Sequence, residues 1–188
     1  MSTPDDFKSH EITRWQPDQQ GLERDVWLLG TLLHDCVHTG AHVSFVLPFS
    51  HDEAAAFWRD RVFPAVEAGL SRVLVARSNR DRERDRIIGT VQLDLAMPPN
   101  QPHRGEIKKL LVHPLERRGG IARALMACIE DEARAAKRTL LTLDTASPAA
   151  EQLYSSLGYV RVGVIPRFSI HPETRELEGT TVMYKELT

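Results

Sequence analysis

Apolar residues recur three or four positions apart over Leu22 to His38, at Leu22, Val26, Leu29, Leu33 and Val37, a spacing that predicts a helix ending at Gly40, a natural C-terminal cap. Ser50-His51-Asp52-Glu53 has the order of a capping box and opens a second helix carrying Phe57, Trp58, Val62 and Val66 as far as Gly69. Ahead of both, Phe7 to Trp15 alternates weakly, as an edge strand does. After Gly69 the pattern becomes strand-like. Arg72 to Arg77 encloses Val73-Leu74-Val75, and Ile87 to Leu95 follows beyond the polar run SNRDRERDR, which predicts a β-hairpin with a charged, solvated tip. Pro98, Pro99 and Pro102 mark a turn into a strand over Glu106 to Val112, with Glu106, Lys108, Leu110 and Val112 on one face and Ile107, Lys109 and Leu111 on the other. A helix over Ile121 to Lys137, a strand over Thr139 to Leu143 and a helix over about Pro148 to Leu157 complete the pattern, with strands near Tyr159 to Ile165 and Thr180 to Glu186. Helices between strands predict an α/β (α+β) protein, a sheet with helices packed on its faces.

Length and composition narrow this picture. The 188 residues suit one domain spanning 1–188, and 41% hydrophobic with 27% charged residues is globular composition. The 24 Lys and Arg against 26 Asp and Glu leave a net charge of −2, without the basic surplus of a dedicated nucleic-acid binder. The opening MSTPDDFKSHEITRW has neither a basic nor an apolar leader segment, and no run of eighteen apolar residues occurs, so a cytoplasmic protein with no membrane partner is expected. Cys36 and Cys128 fall in apolar, helix-like stretches and are expected to be reduced.

The stretch richest in chemistry is Leu110-Leu111-Val112-His113-Pro114-Leu115-Glu116-Arg117-Arg118-Gly119-Gly120-Ile121-Ala122-Arg123, which reads strand, turn, helix. Small residues at a helix start leave backbone N–H groups unpaired, and the dipole and nearby arginines favour an anion there. Neither GxxxxGK[ST] nor GxGxxG occurs. By itself the turn is compatible with a phosphate site or with plain connection chemistry.

R-x-x-G-x-A at Arg117 to Ala122, after a strand ending in Leu-x-Val-x-Pro, resembles the pyrophosphate motif of the GNAT acetyltransferase superfamily. Ala150-Glu151-Gln152-Leu153-Tyr154-Ser155-Ser156-Leu157-Gly158-Tyr159 resembles its A-x-x-L-Y-x-x-L-G-Y/F segment. Leu143 to Thr145, Tyr159 to Gly163 and Pro99-Asn100 are similar to the tabtoxin-resistance group within it. The resemblance implies a mixed sheet splayed between the strand of Glu106 to Val112 and that of Thr139 to Leu143, with acetyl-CoA in the splay as co-substrate. The backbone of Leu110, Leu111 and Val112 would pair with the pantetheine arm. Arg117, Arg118, Gly119, Gly120, Ile121, Ala122 and Arg123 would hold the pyrophosphate, mostly through main-chain N–H groups. Gly119 stands where a basic residue is common, and Ser147, where many members have Asn, is the remaining cofactor position.

Acetyl transfer to an amine needs a neutral amine, support for an oxyanion and a proton for the departing thiolate. By its motif position Tyr154 is the candidate general acid; the alternative is a core tyrosine beside Leu153 and Leu157. By its strand position, where many members of the superfamily it resembles carry a carboxylate, Glu106 is the candidate base acting through water, or else a partner for Lys108 or Arg104. Asp144, placed just past the next strand, is a second base or an amine anchor, or else a turn residue. A backbone N–H near Leu111 or Val112 could support the oxyanion. His34, His38 and His42 have metal-like spacing, but Gly40 interrupts the helix, so no metal is expected; the resemblance, in which the first helix and the loop after it shape the acceptor pocket, implies that His38 lines it.

The expected function is transfer of acetyl from acetyl-CoA to a primary amine of a small molecule by direct attack in a ternary complex. The alternatives are a protein or peptide acceptor, for which Leu22 to His38 and a loop over Ser169 to Thr180 could close or line a groove, and a non-catalytic acyl-CoA-binding sensor. A C2 homodimer through the late strands is a further expectation from the resemblance.

Overall fold

The helical stripe starting at Leu22 forms α1 (Leu22–Val37), which buries Val26, Leu29, Leu33 and Val37 against one face of a sheet. The computed structural model describes residues 10–18, 20–79 and 86–187, so positions 7–9 of the expected edge strand and 80–85 of the hairpin tip lie outside the described residues. The strands are β1 (His10–Arg14), β2 (Ser71–Ser78), β3 (Ile87–Asp94), β4 (Arg104–Val112), β5 (Leu140–Thr145), β6 (Val160–Ile170) and β7 (Leu177–Glu186). They make one seven-stranded sheet in the order β1-β2-β3-β4-β5-β7-β6. β4 and β5 run parallel, because α4 (Ile121–Ala135) crosses between them, and the other neighbours are antiparallel.

Helices cover both faces. On one, α1 packs with α2 (His51–Ala56), a π-helical stretch (Phe57–Val62) and α3 (Phe63–Glu67) around Trp15, Trp58, Val73 and Val75. Ser50 and Glu53 make the reciprocal capping box that the sequence order predicts. On the other face α4 and α5 (Pro148–Ser156) close a core of Leu93, Leu125, Met126, Ile129, Leu141 and Met183. Gly89 permits the close approach of α4, since a Cβ there would meet Ile121 Cγ2 and Leu125 Cδ1 at 3.0 Å.

Two irregularities of β4 shape the molecule. β5 pairs with it over Arg104, Gly105 and Glu106, and past the Glu106–Thr142 rung the two strands part. On the opposite edge, Thr90 faces Leu111 while Gln92 faces Lys108, so three steps of β4 match two of β3. Lys109 sits in this bulge at φ +50 and interrupts the alternation expected over Glu106 to Val112.

Other boundaries move as well. Ser169 to Thr180, expected as a loop, is mostly the β6–β7 hairpin, and Asp144 lies within β5 because it pairs with Val182 of β7. β6 is the outer strand and exposes Val160, Val162, Val164, Ile165 and Phe168. Among the described residues no helix is long and apolar enough to cross a membrane.

Candidate active site

The parting of β4 and β5 opens a cleft of about 950 Å³. Its walls include Glu106 to Val112 along β4, the turn and first residues of α4, the start of α5 with Tyr154, and Thr39 to Ser44 after α1. Glu106, Leu110, Leu111, Val112, Arg117, Arg118, Gly120, Ile121, Ala122, Arg123, Asp144, Ser147 and Tyr154 therefore converge on one space, whereas Gly119 is not among its walls.

At one end, Gly120 caps α4 in the left-handed conformation at φ +83, with nothing within 4 Å of where a Cβ would stand. Among the described residues no side chain caps this helix, so its first N–H groups, which have no intrahelical partner, stay open at the positive end of the dipole. Arg118 has no hydrogen-bond or ion-pair partner among the described residues. Arg123 is tied to Ser156 Oγ at 2.7 Å, and Arg117 reaches Val112 O and Thr39 Oγ1 at 3.4 Å. Open donors, a free guanidinium and a β4 edge left without β5 fit a ligand with a diphosphate and an extended amide-bearing arm, as acetyl-CoA has. Ser147 caps α5 by accepting from Ala150 N at 3.3 Å, which engages its hydroxyl within the helix start.

Midway along the cleft, Tyr154 is buried but its phenol makes no hydrogen bond to the described residues. Burial, reinforced by the negative charge of Asp144, pushes its pKa well above the ordinary phenol value, so it keeps its proton. Asp144 accepts from Thr180 Oγ1 at 2.8 Å. Glu106 combines both sequence readings: it lines the cleft while lying 3.5 Å from Lys108 and 3.9 Å from Arg104.

The far end holds groups that the sequence reading passed over. Lys109 Nζ lies 3.1 Å from Ser44 Oγ and 5.6 and 5.4 Å from the ring centroids of Phe45 and Phe57. Burial, aided by the charge of Lys108 and opposed by Asp144, lowers its pKa to about 8. The signal available was the unbroken strand pattern, which hid the bulge.

Cys36 also lines the cleft, donates to Val112 O at 3.5 Å and is pushed up to about 11 by burial, against the pull of Arg117. His38, expected in the pocket, instead stacks on His34 with ring centroids 4.0 Å apart, because α1 ends at Val37 and the chain turns at Gly40; His42 takes the place in the wall. His42 Nδ1 is 3.3 Å from Glu178 Oε2, and His171 lies edge-on to it at 4.8 Å. His171 Nδ1 accepts from the N–H groups of Glu173 and Thr174 at 3.1 Å, which puts the proton of the neutral ring on Nε2 and makes it a donor toward its neighbours.

Residues 69–161 match the family model described as an acetyltransferase (GNAT) domain. The fold is similar to yncA from Salmonella typhimurium, a structure that contains its cofactor acetyl-CoA, with a TM-score of 0.69 and 18% identity over 94% of each chain. An N-acetyltransferase from Staphylococcus aureus Mu50 gives 0.72 and 16% over 95% of this chain and 99% of that one. A ribosomal-protein-alanine N-acetyltransferase from Brucella melitensis gives 0.69 and 20% over 94% and 99%.

Proposed function

The chain belongs to the GNAT acetyltransferase family, acyltransferases that draw on acetyl-CoA, and from that premise we propose that it acetylates the primary amine of a small molecule by direct attack in a ternary complex. The observation that carries the choice of acceptor is that the loop after α1, whose Thr39 to Ser44 line the cleft, is tied down. The loop after α1 is fastened to the β6–β7 hairpin by Leu47 N donating to Pro172 O at 3.1 Å, by the Arg175 guanidinium on Leu47 O and by the His42–Glu178 contact. A peptide needs an open groove at this end; a small amine does not.

Acetyl-CoA, when bound, supplies an electrophilic thioester and a thiolate leaving group. The open N-terminus of α4 and Arg118 bind the diphosphate, with Arg117, Arg123 and Ser147 shaping the walls around it. The free edge of Leu110 to Val112 orients the arm and offers backbone N–H groups to the acetyl oxygen. Asp144 anchors the incoming ammonium, Glu106 takes its proton through water, and Tyr154 Oη returns a proton to the departing sulfur. Cys36 is given no nucleophilic role, because burial pushes its thiol up to about 11 and disfavours the thiolate.

A homodimer across the exposed apolar side chains of β6 belongs to the same proposal. So does a cytoplasmic setting, which suits two cysteines, Cys36 and Cys128, that form no disulfide.

The test is calorimetry with acetyl-CoA followed by CoA release with small amines and with N-terminal peptides as acceptors. Turnover with small amines supports the reading. Turnover confined to peptides overturns the choice of acceptor, and saturable acetyl-CoA binding without turnover on any amine makes the chain a sensor.

A further inference from the structure

Lys108 and Lys109 are neighbours in sequence with opposite surroundings. Lys108 Nζ lies 2.9 Å from Asp94 and 3.5 Å from Glu106, so two carboxylates answer its charge. Lys109, turned by the bulge, makes no ion pair among the described residues. An ammonium has three N–H donors, and Ser44 Oγ accepts one of them. The rings of Phe45 and Phe57 hold the cation without supplying a counter-charge. Both Lys109 and Ser44 stand at positive φ, +50 and +76, a conformation that side-chain-bearing residues adopt at a cost. Ser44 Oγ, while accepting from Lys109, keeps its own hydrogen to give, so an N–H and an O–H donor stand side by side in the cleft wall. That pair matches the two oxygens of a carboxylate.

The cleft thus has two charged subsites. Glu106 and Asp144 attract an ammonium, while Lys109 repels one and attracts an anion. A purely cationic acceptor satisfies only the first. We propose that the acceptor carries a carboxylate as well as its amine, and that Lys109 with Ser44 anchors that carboxylate while the amine lies toward Glu106 and Asp144; the substrate class is a small amino acid. This rests on reading the cleft as that of an amine acetyltransferase.

The experiment uses matched acceptors that differ only in the carboxylate, phenylalanine against phenethylamine and methionine against 3-(methylthio)propylamine, with CoA release as the readout. The amino acid is expected to lead in kcat/KM by about tenfold or more. That ratio should shrink as pH rises through about 8, where Lys109 loses its charge, Lys108 and Asp144 being the other charges that act on it. Lys109→Met should collapse the ratio and Ser44→Ala reduce it, with circular dichroism checking the fold. Equal or better use of the carboxylate-free amines by the wild type, or a ratio that Lys109→Met leaves alone, overturns the anchor.

Titrating the N-acetylated forms of the same compounds into CoA-loaded protein separates this from the parent reading. Preferential binding of the carboxylates without turnover keeps the anchor and removes the enzyme. Equal binding of both kinds, or of neither, removes the anchor.

Discussion

Thr180 Oγ1 donates a 2.8 Å hydrogen bond to Asp144 Oδ2, joining β7 to β5 at the edge of the cleft. Thr180 is buried and Asp144 exposed, so the hydroxyl is a fixed post that orients a carboxylate otherwise free to turn in water. Tyr154 and Lys109 both feel that carboxylate. Thr180→Val is expected to lower kcat about tenfold, and Asp144→Asn further, while acetyl-CoA affinity by calorimetry stays within a factor of about two. Unchanged kcat in both variants removes Asp144 from the mechanism.

Tyr154→Phe should spare acetyl-CoA binding and lower kcat about a hundredfold. The sign of the pH dependence follows from its raised pKa: the proton-bearing form persists to higher pH than in a free phenol, so no alkaline fall in kcat due to this group is expected up to about pH 10. A pH–rate profile for wild type and variant checks both points. A variant as fast as wild type at every pH excludes the acid role.

Arg118→Glu places a negative charge beside the bare start of α4. Acetyl-CoA affinity should drop about tenfold or more, and the wild type should lose affinity with added salt while the variant loses less. Calorimetry at two ionic strengths measures this. Because Arg118 has no partner among the described residues, its replacement should leave the melting temperature nearly unchanged.

Cys36→Ala should retain most of the turnover, at a cost of about 1 kcal/mol in stability for the lost buried sulfur. Intact mass after incubation with acetyl-CoA alone should show no thioester on Cys36, and initial-rate plots should intersect, as a ternary complex requires. An acetylated Cys36 would show that the burial which raises the thiol does not prevent double displacement.

The capping box at Ser50 and Glu53 and the stripe of α1 were legible because the interactions that fix them span a few residues. The Tyr154 segment and the Gly120 turn were legible as motifs, and the structure brings both to one cleft. The bulge at Lys109 was not, since it exists only in the register between β3 and β4. The π-helical stretch starting at Phe57, which brings that ring near Lys109, sits inside an ordinary helical pattern and left no local mark. Asp144 was misplaced by a residue or two because strand length depends on β7, whose Val182 pairs with it. His38 gave way to His42 for a similar reason: the direction of the chain after Gly40 is set by contacts with a hairpin more than 120 residues on, where Leu47 meets Pro172. Short-range chemistry could be read directly, whereas the acceptor end is assembled from distant segments.

The parting of β4 and β5 gives the two ends of the cleft different susceptibility to change. One end is made largely of main-chain groups, an open helix start and a strand edge, which most substitutions leave in place. The other is made of side chains, Lys109, Ser44 and His42, carried on a bulge and a loop, with the rings of Phe45 and Phe57 beside Lys109. Altered acceptor preference is therefore open to single substitutions at the second end, without a redesign of the part that retains the acyl donor.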